Sequence, residues 1–182
     1  MMLYRIRQFV RGILASGPNT KEKMLIEELL AVDGRKLFYN MNIADQRHCL
    51  NVLWAAWQLV RAGEKAISWN SDAGRLLSRC CLLHDAGRGR FMGPIRKTWA
   101  VLLDKAFPIW ARRYGRCDSC SYIRSLLYRY YHHGKISSDM LLTLGMSREA
   151  AIVALHHKKG YGHLDGTSRQ VLDILRLADG QN

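Results

Sequence analysis

Apolar residues recur at helical spacing along nearly the whole chain, and histidines or aspartates punctuate the runs at His48, His84-Asp85, His133, His156-His157 and Asp179. Nowhere does a convincing period-two alternation with flanking turn signals appear, so the pattern predicts an all-α domain. Polar groups at the ends and on the inner faces of apolar helices point inward. Imidazoles and carboxylates converging in a helical core are costly to bury unpaired, and metal ions are their most economical common partner. The pattern reads first as a candidate metalloenzyme.

The remaining composition narrows the class. A length of 182 residues fits one domain, and a 48% hydrophobic content with five tryptophans excludes disorder and low-complexity readings. No stretch approaches the roughly 20 apolar residues of a membrane span. Arg5, Arg7 and Arg11 interrupt the first segment before it reaches signal-peptide length. A soluble, cytoplasmic protein is expected, with Tyr4 to Ala15 as a surface helix over a core stripe. Of the five cysteines, Cys49, Cys80 and Cys81 lie in apolar helices as small hydrophobes, and Cys117-Asp118-Ser119-Cys120 lacks the second pair that structural zinc needs.

The helical runs can be followed along the chain. Tyr4 to Ala15 and Lys21 to Ala31 make two lead-in helices around Gly17-Pro18-Asn19, with Thr20 placed to cap the second. A third helix from about Ala44 to Ala62 holds His48, with Leu50, Leu53, Trp54, Trp57 and Val60 as its buried stripe. Ser71 or Asp72 caps a helix to Ala86 that is apolar nearly all round and therefore central. After Gly87, Gly89 and Gly93-Pro94 come Ile95 to Ala106 and a helical stretch around Pro108 to Tyr114. Ser121 to Tyr131 forms the next helix, His132-His133-Gly134 ends it, and Ser137 to Leu144 resumes the pattern. Ser147 caps Ala150 to Leu155, which leads into His156 and His157. A last helix from Thr167 or Ser168 carries Asp179 on its core side and Asp173 in solvent.

The net charge of +13 is concentrated. Between Ala86 and His132 ten basic residues (Arg88, Arg90, Arg96, Lys97, Lys105, Arg112, Arg113, Arg116, Arg124, Arg129) face Asp104 and Asp118, a balance of +8. Such a segment attracts phosphate-bearing ligands, nucleic acid or acidic lipid. Trp99, Trp110, Tyr114 and Tyr122 interleave with these cations, an arrangement that permits base stacking, yet they are expected chiefly as core stripes of amphipathic helices. Adjacent His84 and Asp85 suit a two-metal site, because a carboxylate bridges two cations while an imidazole serves one.

The order of the histidines and aspartates resembles that of the HD-domain superfamily of metal-dependent phosphohydrolases, from about Asp45 to the last residue. Arg47-His48-Cys49-Leu50-Asn51-Val52 is similar to the first-histidine helix, and Leu82-Leu83-His84-Asp85-Ala86-Gly87-Arg88 to the eponymous pair with its glycine. His133 to Gly145, Ala154-Leu155-His156-His157 and Leu175 to Asp179 resemble the later motifs. The resemblance implies a helical bundle spanning 41–182, preceded by a helical extension (1–40) and interrupted by a basic helical insertion (86–132). It implies a divalent, binuclear centre, with iron, manganese, zinc and magnesium all compatible. His48, His84, Asp85 and Asp179 would hold one ion, and Asp85 would bridge to a second held by His133, His156 and His157.

The expected activity is hydrolysis of a phosphate ester or anhydride, of a nucleotide or another small phosphate. Asp85 and Arg88 are expected in the reacting centre, with Arg88 and, secondarily, Lys158 and Lys159 on substrate phosphate. Arg88 stands where many members carry lysine; the competing expectation is a solvated residue in a glycine-rich loop. His163 is read as a surface residue, and the interval to Gly145 favours His133 over His132 as ligand. Two departures matter. The stretch Lys158 to Gly166 contains no Gly-Tyr-Pro motif, which argues against cyclic-dinucleotide hydrolysis. Ala44 replaces a carboxylate that some members place before the first histidine, with Asp45 one residue late, which argues against a third metal. The alternative function is a non-catalytic module of the same fold that binds nucleic acid through the basic insertion.

Overall fold

The computed structural model describes residues 14–63, 67–118 and 121–182, and the expected helix from Tyr4 to Ala15 falls almost wholly outside them. Among the described residues the chain forms nine α-helices and no strand. They are α1 (Thr20–Leu29), α2 (Val32–Tyr39), α3 (Ile43–Arg61), α4 (Asp72–Leu83), α5 (Pro94–Ala106), α6 (Pro108–Tyr114), α7 (Tyr122–Thr143), α8 (Ser147–Leu155) and α9 (Gly166–Gly180). A single 3-10 turn, Ala86–Arg88, follows α4. No described helix is long and apolar enough to cross a membrane.

Side-chain caps set four of the nine described helix starts; the expected cap Ser147 is instead the first residue of α8, after Met146. Asn19, one residue before the expected Thr20, caps α1 in a reciprocal box: Asn19 Oδ1 accepts from the Glu22 amide at 2.9 Å and Glu22 accepts from the Asn19 amide at 2.8 Å. Asn42 caps α3, Ser71 caps α4 and Asp165 caps α9, each accepting an amide three residues on. Glu22 also receives Arg47 of α3, with Nη1 at 2.6 Å, which fastens the first helix to the bundle.

The core is built around α4. Leu76, Leu77, Cys80, Cys81, Leu82 and Leu83 are all buried, as its uniformly apolar face predicts. Helices α3 and α9 pack on α4 and on each other, α8 closes the remaining side, and α7 lies along α8 and over the 3-10 turn. Ile26, Leu30, Phe38 and Met41 extend the same apolar cluster into the N-terminal helices. A second, much smaller cluster joins Met92, Ala100 and Leu126, with Phe91 and Tyr130 packed against it, and holds α5 to α7.

Four expectations are corrected. Helix α7 runs unbroken through His132-His133-Gly134, because its packing along α8 outweighs the glycine's low helix propensity. Helix α2, which the sequence did not separate, follows α1 after a two-residue break at Leu30 and Ala31. Trp54 is exposed, not part of the α3 stripe. Trp99, Trp110 and Tyr122 are exposed as well, because the small second cluster offers them no interior to fill.

Candidate metal centre

The ends of three helices, the first half of α3 and the middle of α7 bring the predicted residues together. His48 comes from the first half of α3, His84 ends α4, and Asp85 opens the 3-10 turn. His133 lies midway along α7, His156 and His157 follow α8, and Asp179 closes α9. Their donor atoms form three overlapping groups, each within 4.8 Å: His48, His84 and Asp85; His84, His156 and Asp179; and Asp85, His133 and His157. Asp85 belongs to two groups and His84 to two. His156, expected beside His133 and His157, is grouped instead with His84 and Asp179.

Two local devices position this set. The first is Gly87. A Cβ there would lie 2.4 Å from the His133 carbonyl and 2.7 Å from the Ser137 amide, so only glycine lets the turn press against α7. Its amide donates to Ser137 Oγ at 2.8 Å, and its carbonyl accepts from Arg129 at 3.2 Å. Gly89 then turns the chain away at φ +56°, a left-handed conformation that favours glycine.

The second device is Arg176 on α9. Its guanidinium donates to the carbonyls of Leu155 at 2.8 Å, His156 at 3.2 Å and Gly160 at 2.9 Å, and to that of Lys158. Orphan carbonyls at the end of α8 thereby find a donor, and the double histidine is fixed to α9.

Hydrogen bonds set the tautomers. His84 Nδ1 donates to the Cys81 carbonyl and His133 Nδ1 to the Tyr130 carbonyl, both at 3.0 Å, which leaves each Nε2 lone pair facing the cluster. His133 Nε2 and His157 Nε2 lie 3.0 Å apart. The two Asp179 oxygens accept from His48 Nε2 and His156 Nε2, each at 3.0 Å. Asp85 Oδ2 lies 3.5 Å from His84 Nε2 and 3.7 Å from His48 Nε2, and Asp85 Oδ1 lies 3.6 Å from His133 Nε2.

Electrostatics hold Asp85 and Asp179 charged and His84 and His133 neutral. Burial lowers the His84 pKa to about 4, against the partial opposition of Asp85. Burial and then the Arg88 guanidinium lower that of His133 to about 3. Burial alone would raise the pKa of Asp85, but Arg88 and the surrounding histidines outweigh it and hold the carboxyl well below its usual range. Asp179 is lowered likewise, its own burial overcome by the hydrogen bonds from His156 and His48. Neutral imidazoles and ionised carboxylates are the protonation states that metal ligation requires.

Arg88 is neither solvated nor free. It is buried, pairs closely with Asp85, reaches Asp45 Oδ1 at 3.4 Å and donates toward His133 Nε2 at 3.3 Å. Lys158 and Lys159 are exposed on the turn after α8. His132 instead packs its ring against Tyr128, and His163 is exposed, as expected. Cys117 is exposed with a free thiol, and Cys120 falls outside the described residues.

The sequence did not single out three contributors. Asp45 is buried beside Arg88. Lys97 lies close enough to Arg88 that the neighbouring guanidinium, and then burial, lower its pKa. Arg176 is the third. For Lys97 the only signal was membership of the basic segment; for Arg176 there was none.

The donor set fits a metal ion. His84 Nε2 and Asp85 Oδ1 are buried and find no hydrogen-bond partner among the described residues. Each such atom costs about 1–3 kcal/mol unless something else satisfies it, and both belong to the first of the three groups. A cation that accepts mixed nitrogen and oxygen ligands satisfies both at once. No protein-family model matches the chain, and comparisons with curated proteins and with solved structures also find no match.

Proposed function

We propose that the chain is a metal-dependent phosphohydrolase with an HD-type centre, acting on a phosphate ester or anhydride of a nucleotide or similar small molecule. The observation that carries this reading is the overlap of three His/Asp groups through Asp85 and His84, with buried donor atoms left unsatisfied. His48, His84, Asp85, His156 and Asp179 would hold one divalent cation, and Asp85, His133 and His157 offer a second position. Iron, manganese, zinc and magnesium all suit the donors. The chemistry such ions supply is Lewis acidity, which makes hydroxide available near neutral pH and neutralises charge on phosphoryl oxygens.

The chain's own residues do the remaining work. Asp179 fixes His48 and His156 through its two oxygens, and the Cys81 and Tyr130 carbonyls fix His84 and His133. Arg88 presents a planar fork of donors at the edge of the set, where a phosphate oxygen can replace Asp45 as its second partner. Lys97 adds a second cation nearby. Both are placed to stabilise charge developing on phosphoryl oxygens.

The test pairs elemental analysis of the purified chain with a phosphate-release screen over nucleotides, dinucleoside polyphosphates and cyclic dinucleotides. Asp85→Ala is expected to lose bound metal and hydrolysis while circular dichroism keeps its helical signal. Full metal stoichiometry in that variant, or a metal-loaded chain that hydrolyses none of these, would overturn the reading.

A further inference from the structure

Helix α5 presents its apolar stripe to solvent. Ile95, Trp99 and Leu102 follow one another at four and three residues along one face and are 63%, 59% and 50% exposed. The stripe continues around the corner into α6 through Phe107 and Ile109, at 60% and 85% exposure. Over Ile95 to Ala106 it runs about 17 Å at the rise of an α-helix. Only Ala100 of α5 is fully buried, and the cluster it joins has just two other buried members, Met92 and Leu126. A contiguous exposed apolar patch of this kind marks an interaction surface.

Its surroundings fix the sign of the partner. Lys105, Arg112, Arg113 and Arg116 are exposed along the same corner. Asp104, the acid within α5, accepts a hydrogen bond from Tyr131 at 2.6 Å. The partner is therefore anionic.

We infer that the outer face of α5 and its corner into α6 dock on an anionic phospholipid surface, the stripe entering the acyl boundary and the cations meeting headgroup phosphates. An amphipathic helix lying in the interface plane buries its apolar face about 5–10 Å deep. Aliphatic Ile95, Leu102 and Ile109 suit that environment, and Trp99 suits the headgroup level. Nucleic acid fits less well, because bases need flat aromatic faces. Trp110 and Tyr114 already stack on each other at 4.8 Å and 15°, and Arg124 covers Tyr114 at 4.6 Å. A second copy would bring the same cations face to face.

The full chain is tested by sedimentation with vesicles of phosphatidylcholine alone or mixed equally with phosphatidylglycerol, alongside single-stranded oligonucleotide binding and size-exclusion chromatography. Binding to the mixed vesicles is expected, weak on phosphatidylcholine and weakened by salt. Trp99→Ser with Ile109→Ser, both side chains exposed and neither part of the His/Asp set, should keep its helical signal and bind about tenfold or more weakly. No binding to mixed vesicles overturns the inference, as does equal binding by the double variant. Oligonucleotide binding or a dimer that the double variant loses, with vesicle binding unchanged, assigns the stripe elsewhere.

Discussion

Arg88→Met isolates the buried cation of the site while keeping much of its bulk. In the metal-free chain Arg88 is, among the described residues, the one guanidinium that reaches both Asp85 and Asp45, two carboxylates that are almost wholly buried. Removing one partner of such a pair leaves uncompensated charge in a medium that solvates it poorly, at a cost of about 3–5 kcal/mol. For a chain of this length 1 kcal/mol shifts the melting temperature by about 2–4 °C, so the metal-free variant should melt about 6–20 °C below the parent. Differential scanning calorimetry in chelator measures it. Adding Asp45→Asn to the variant removes one stranded charge and should recover part of the loss, a coupling that a double-mutant cycle reads directly. Under the proposed function a divalent cation should also stabilise the variant more than the parent, because it replaces a missing positive charge. A metal-free variant melting within about 2 °C of the parent would refute the argument, since a cation that compensates nothing costs little to remove.

Three further outcomes follow from the same geometry. His84 and His133 have folded-state pKa values of about 4 and about 3, below their ordinary 6.5, so the unfolded chain takes up protons first as pH falls. Stability is full above pH 6.5 and is lost between there and pH 4 at about 1.4 kcal/mol per pH unit for each histidine, with Asp85 and Asp179 adding in the same sense only below about pH 4; thermal melts of the metal-free chain that stay flat from pH 7 to about pH 4.5 would contradict it. Gly87→Ala must push the turn off α7, because its Cβ falls 2.4 Å from the His133 carbonyl; a loss of about 2 kcal/mol or more is expected, and under the proposed function metal falls first from Asp85, His133 and His157, with parental stability and metal content counting against it. Arg176→Ala frees the carbonyls after α8; under the proposed function metal affinity should fall about 10–100-fold while Arg176→Lys restores part of it, and unchanged titration calorimetry would show that Arg176 does not position His156.

Much of the fold was legible because helices advertise themselves by period and by caps. The all-round apolar pattern of α4 marked it as central, and His84 and Asp85 could then only lie at its end, inside the bundle. The sequence misled where packing overrides local propensity. Gly134 reads as a helix breaker after two histidines, but the packing of α7 along α8 carries the helix through it. Trp99 and Trp110 read as core residues because apolar periodicity records amphipathicity without saying which way the apolar face turns. The roles of Asp45 and Arg176 escaped notice for another reason. Arg88 lies 43 residues from Asp45, and the carbonyls that Arg176 reaches lie 16 to 21 residues from it. Such long-range hydrogen bonds leave no period, spacing or composition to read.

The charge inside the site differs from that of the chain around it, and the difference bears on what the site can hold. In a protein of net charge +13, the region around Asp85 gathers Asp45, Asp85 and Asp179, with His84, His133 and His157 held neutral. Arg88 and Lys97 offset two of those carboxylates, which leaves one negative charge in a poorly solvated space. Under the proposed function a divalent cation would turn that remaining negative charge into a single positive one. The site then attracts an anion, and the basic segment from Arg88 to Arg129 extends the same positive potential outward. Without the cation the acidic pocket would repel a phosphate; with it, pocket and surface act in the same direction. Binding of a phosphate analogue should therefore be metal-dependent, and isothermal titration with and without chelator decides it: equal affinity in both would place the anion on the basic surface and not among the histidines.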